Sequence, residues 1–112
     1  MKLKLRYYYD NPLTNVPELC TEIFADYTSE KIEIVNYTQN MLFRAFGINE
    51  NPSWKQYEEF LEERCFPRTR FNAKDLLKQY GLENIGYDPL EIVKISNGRM
   101  AEDHMFLKIE EI

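Results

Sequence analysis

Asn51-Pro52-Ser53-Trp54-Lys55-Gln56-Tyr57-Glu58-Glu59-Phe60-Leu61-Glu62-Glu63-Arg64-Cys65-Phe66-Pro67-Arg68-Thr69-Arg70 reads as one amphipathic helix followed by an abrupt basic turn. Ser53 is a favourable N-cap, and Gln56 three residues on completes a capping box. Pro52 holds the residue before it extended, so the helix cannot begin earlier. Trp54, Tyr57, Phe60 and Leu61 recur at helical spacing and form one apolar stripe. Glu58, Glu59, Glu62 and Glu63 fall mostly outside it. Pro67 stops the helix, because it has no N–H to donate and its ring clashes with the preceding turn. Arg64, Arg68 and Arg70 crowd around that stop. A helix with one apolar face needs a second layer to cover it, and the flanking sequence supplies a sheet.

Residues 2–9 alternate strictly, with Leu3, Leu5, Tyr7 and Tyr9 on one face and Lys2, Lys4, Arg6 and Tyr8 on the other, the pattern of a half-buried strand. Asp10-Asn11-Pro12 ends it with turn chemistry. Residues 18–25 alternate again, Leu19, Thr21 and Ile23 against Cys20, Glu22 and Phe24; residues 31–37 form a third strand with Ile32 and Ile34 on one face. The short connections favour an antiparallel meander. Met41, Leu42, Ala45 and Phe46 have helical spacing, so a short helix is expected over 38–46, stopped by Gly47. Beyond the basic turn a further helix begins at Thr69 or Asn72, with Phe71, Leu76, Leu77 and Tyr80 as its stripe; Gly81 ends it and Leu82 closes its cap. Asp88 caps the last helix, with Pro89 at its first position and Glu91 near its positive end. Leu90, Ile92 and Val93 face the core, and Asn97-Gly98 stops the helix. His104 to Ile109 returns to strand alternation, and this strand is expected to join one edge of the sheet.

These elements predict one α+β domain spanning residues 1–112: a small antiparallel β-meander packed against three to four short helices, with a C-terminal strand. Leu3, Leu5, Ile32, Ile34, Phe60, Leu61, Leu77 and Val93 are the expected core.

The formal net charge of −5 argues against direct binding of nucleic acid or an anionic membrane. No apolar run approaches the ~20 residues of a membrane helix, and the N-terminus shows no signal-peptide pattern. Cys20 and Cys65 have no metal-ligand spacing and read as reduced thiols in a cytoplasmic protein. There is no Gly-rich phosphate loop, nucleophile elbow or Cys/His arrangement, so the expectation is a non-enzyme without metal or cofactor.

The basic turn is the leading contact site, since Arg offers a planar fork of donors to carboxylates and phosphates. The competing reading is internal pairing with Glu62, Glu63, Glu102 or Asp103. Arg64, Arg68, Arg70 and Arg99 are the candidate partner-binding residues. Glu102, Asp103 and His104 together invite an acid–base reading, but neighbouring residues point in different directions, and a structural turn is the better reading. Tyr7, Tyr8 and Tyr9 suggest a stacking platform, yet alternation sends Tyr7 and Tyr9 into the core and leaves Tyr8 beside Arg6. Trp54 reads as a packing anchor.

The helix with Phe60-Leu61, Pro67 after it, Arg70, Leu76-Leu77, then Asp88-Pro89-Leu90-Glu91-Ile92 and a closing strand resembles the N-terminal subdomain of HipA-type serine/threonine kinases. Arg64-Cys65-Phe66-Pro67-Arg68-Thr69-Arg70 is also similar to an Arg-x-x-Pro-x-Ser/Thr-Arg segment of short HipA-like proteins. The resemblance covers roughly residues 53–109 and implies a stand-alone, HipS-like version of the subdomain. What it implies in function is a non-catalytic, antitoxin-like accessory protein that binds and regulates a separate HipA-like kinase. A second reading, from size and acidity, is a mobile-element inhibitor that evades host defence by protein–protein binding and charge mimicry.

Overall fold

The alternation of Lys2–Asp10 makes strand β1, on which the sheet is built. In the computed structural model, which describes all 112 residues, β1 lies between β2 (Pro17–Asp26) and β4 (Met105–Glu111). β3 (Lys31–Asn36) lies outside β2, giving the order β3-β2-β1-β4 with every neighbouring pair antiparallel. The C-terminal strand thus takes the free edge of β1, pairing Tyr9 with Met105 and Leu3 with Glu111.

Three helices form the second layer: α1 (Trp54–Glu63), α2 (Ala73–Gln79) and α3 (Pro89–Ser96). Ser53 and Gln56 form the capping box at the start of α1. Asp88 accepts from the Leu90 and Glu91 amides at the start of α3. Gly81, at φ +75°, ends α2; its amide donates to the Lys78 carbonyl and the Leu82 amide to the Leu77 carbonyl. That is a Schellman cap, completed by burial of Leu82. Leu3, Leu5, Tyr7, Ile23, Ala25 and Leu107 of the sheet meet Tyr57, Phe60, Leu61, Ile92 and Val93 of the helices in one core. The buried hydroxyl of Tyr57 finds its partner in that of Tyr27, 2.7 Å away.

Four expectations need correction. First, residues 38–46 form successive turns, not a helix. The Phe43 and Gly47 amides donate three residues back, to Asn40 and Arg44, and Thr38 and Asn40 side chains accept from the backbone two residues on. Such short polar side chains compete with helix hydrogen bonding. Second, Phe71 is 99% exposed instead of packing in a helical stripe. Its helix starts two residues later, after two consecutive turns closed by Arg70 N–H to Pro67 O and Ala73 N–H to Arg70 O. Third, Leu19 does not share a face with Thr21: Tyr7 pairs with Thr21 and Tyr8 with Leu19, so Cys20 is the extra residue of a β-bulge. Fourth, Ile32, Ile34 and Leu77 are half-buried, packed against the core instead of within it, because β3 is an edge strand and α2 lies on the surface with no buried residue.

Candidate functional site

The four candidate arginines part company in the fold. Arg64 follows the last residue of α1, where the chain turns inward, and it is buried. Its Nε donates to the Gly98 carbonyl at 2.8 Å, its Nη1 and Nη2 grip both oxygens of Asp103 at 2.7 and 3.0 Å, and Nη2 also donates to the Met105 carbonyl at 3.1 Å. Arg64 is therefore not offered to a partner, which corrects its assignment as a contact residue. A buried guanidinium requires this degree of pairing, and a carboxylate with two carbonyls supplies it. The Arg64 hydrogen bond holds the Asp103 carboxyl below the usual carboxylate range, against the opposing effect of burial and with help from the Met105 amide. Burial opposes the Arg64 charge, but Asp103 and Tyr7 outweigh it and hold the guanidinium above its ordinary value.

Asp103 is consequently engaged, while the neighbouring His104 is exposed, its ring edge-on to Tyr9. Glu102, Asp103 and His104 do not converge, and no group of three or more His, Cys, Asp or Glu side chains is arranged to hold a metal ion. Cys20 and Cys65 are separate, buried thiols. Burial, and secondarily Glu62 and Asp88, push Cys65 up to about 12.

Arg68 is exposed, pairs with Glu62 at 3.2 Å and lies 4.5 Å above the Tyr87 ring. The Tyr87 hydroxyl donates to the Phe66 carbonyl at 2.7 Å, and burial pushes Tyr87 up to about 12. Arg68 thus faces a depression shared with Glu59, Glu62, Glu63 and Glu102, an acidic setting.

Arg70 is exposed and joins no ion pair. Arg99, just beyond α3, lies 4.3 Å above the ring of Phe106 and 3.6 Å from Asp10, with its side chain half exposed. Arg70 and Arg99, far apart in sequence, line one open recess of about 250 Å³ together with Phe66, Leu76, Tyr80 and Met100; Glu102 is the acidic residue on its wall. Arg64 lines the same recess with its guanidinium already bound to Asp103, Gly98 and Met105, while Arg68 does not reach it. Phe71, beside Arg70, is the residue that sequence reasoning missed here, because its spacing to Leu76 and Tyr80 suggests a core position. The signal against that was the pair of turn formers, Pro67 and Asn72, on either side of it.

Phe106 was missed as well. It is buried on the outer face of the sheet, stacked on Tyr8 with ring centroids 5.1 Å apart and covered by Arg99. The Tyr8 face is thereby occupied by an intramolecular stack. No helix is long and apolar enough to cross a membrane.

Comparison with known proteins gives no match: no family model fits the chain, and none of the curated proteins or solved structures is significantly similar to it.

Proposed function

We propose that this chain is a non-catalytic, antitoxin-like accessory protein that binds and regulates a HipA-like serine/threonine kinase in the cytoplasm. The observation that carries the reading is the recess lined by Arg70, a guanidinium in no internal ion pair, and by Arg99. Supporting it is the separation of roles within the Arg64–Arg70 segment. Arg64 secures the corner from inside, and the same corner then presents Arg70 and Phe71 outward. Exposed Arg and large aromatic side chains on a fixed frame are the residues most often responsible for binding energy at protein interfaces. The resemblance of residues 53–109 to the HipA subdomain supplies the class of partner.

The test is co-expression of the tagged protein with a HipA-like kinase from the same genome. The expected outcome is a complex that survives purification and a kinase whose autophosphorylation falls when the protein is added. A kinase that neither co-purifies nor loses activity would remove this reading.

A further inference from the structure

We infer that the recess between Arg70 and Arg99 docks an acidic segment of a protein partner, with one apolar side chain entering the recess and flanking carboxylates meeting the two guanidinium groups. This inference deepens the partner-binding reading above and rests on it. Three features of the recess define its occupant. Its volume of about 250 Å³ falls below the ≈ 300–1,000 Å³ of small-molecule sites. Its lining includes Phe66, Leu76, Tyr80 and Met100, whose apolar surface suits an apolar side chain better than a bare phosphate. Its lining carries three cations, Arg64, Arg70 and Arg99, against one carboxylate, Glu102, and with Arg64 held by Asp103 it leaves Arg70 and Arg99 to meet an incoming acid.

The backbone prepares these groups for contact. The Arg70 amide donates to Pro67 O at 3.0 Å and its carbonyl accepts from Ala73 at 2.9 Å, so Arg70 is fixed where two turns meet. Less conformational freedom is then lost on binding. Stacking over Phe106 orients the Arg99 guanidinium while leaving its in-plane N–H groups available. Its exposed pairing with Asp10 at 3.6 Å is of the weak kind that a bound carboxylate displaces. Phe71, 99% exposed beside Arg70, extends the apolar contact beyond the recess onto the partner's surface. A nucleic acid is disfavoured, because the chain is acidic overall and Glu59, Glu62, Glu63 and Glu102 gather in the adjoining depression.

The experiment is a titration of the ¹⁵N-labelled full chain, followed by amide chemical shifts. The probes are a short synthetic peptide of glutamates around a central leucine, the same peptide with glutamines, inorganic phosphate, and single-stranded oligothymidylate. The acidic peptide should shift amides of Arg70, Phe71, Leu76, Tyr80, Arg99 and Met100. The glutamine peptide should shift them at least tenfold more weakly at equal concentration. Arg70→Glu and Arg99→Glu should abolish the shifts, and Phe71→Ala should weaken them while the rest of the spectrum is unchanged. The inference is overturned if the glutamine peptide acts equally, if phosphate or the oligonucleotide reproduces the same pattern, or if no probe perturbs the recess. A kinase complex that forms normally with Arg70→Glu, Arg99→Glu and Phe71→Ala overturns this inference and leaves the regulatory reading standing. Peptide docking without any kinase complex does the reverse.

Discussion

At the scale of single residues, Arg64 joins the end of α1 to the start of β4. Its four hydrogen bonds satisfy the carbonyls of Gly98 and Met105 and both oxygens of Asp103. Removing the guanidinium leaves these groups short of partners, so Arg64→Ala should destabilise the fold by about 3 kcal/mol in urea unfolding. Arg64→Lys should recover little of that, because an ammonium group cannot reproduce the fork. The ion pair also sets an acid limit. Asp103 has a depressed carboxyl in the folded state, so as pH falls the unfolded chain takes up the proton first. Its stabilising contribution is complete above the ordinary value of 3.8 and is lost as pH drops through the lower folded value. Glu22 and Asp26 are depressed too, by the Tyr37 hydrogen bond and the Thr28 amide respectively, so acid unfolding is shared among them. The Asp103 share is isolated by comparison: Asp103→Asn should be less stable than the parent at neutral pH, with the gap narrowing below 3.8. A gap independent of pH would contradict the pairing. Cys65, pushed up to about 12 by burial, should resist alkylation until the chain unfolds, when both thiols should react singly.

Among the elements, the loop between α3 and β4 depends most closely on residue identity. Gly98 has φ +64°, and a Cβ there would lie 3.1 Å from Leu107 Cδ1 and 3.5 Å from Arg64 Cβ. Gly98→Ala should cost about 1–3 kcal/mol in thermal or urea unfolding. Gly81→Ala, strained in φ but facing open space, should cost less. The start and stop signals of the helices were legible, because Ser53 with Gln56, Asp88 with Pro89, Gly81 with Leu82 and Asn97 with Gly98 each act locally. The turns at 38–46 were not, because the spacing of Met41, Leu42, Ala45 and Phe46 imitates a helix. What decides against one is local hydrogen bonding by Thr38 and Asn40 and a distant one, from the Ala45 amide to Thr21 Oγ1 at 3.2 Å. The bulge at Cys20 escaped for a related reason: alternation reveals a strand's period, whereas an inserted residue shows only once its partner, β1, is known.

For the whole molecule, the sheet and helices share one core, and surface chemistry is distributed around it. Leu5 and Leu107 are fully buried on adjacent strands, and truncation of either to Ala should cost about 2–5 kcal/mol in urea unfolding. The exposed Phe71→Ala change should leave stability nearly unaltered. The strand that closes the sheet was expected from its alternation, and the corner at Arg64–Arg70 from its composition. Which arginines share a recess was hidden, because it depends on how the fold brings Arg64, Arg70 and Arg99 together and on Asp103 claiming only Arg64 among them. One paired measurement tests that division of labour. Arg64→Ala, Arg70→Glu and Arg99→Glu should each be assayed for melting temperature and for affinity toward the proposed partner, a HipA-like kinase. Arg64→Ala should melt at a lower temperature than the parent. Arg70→Glu and Arg99→Glu should melt near the parental temperature and lose about 2 kcal/mol or more of affinity, the size expected of an interface hot spot. Lower melting for Arg70→Glu and Arg99→Glu, with kinase affinity intact, would contradict that division.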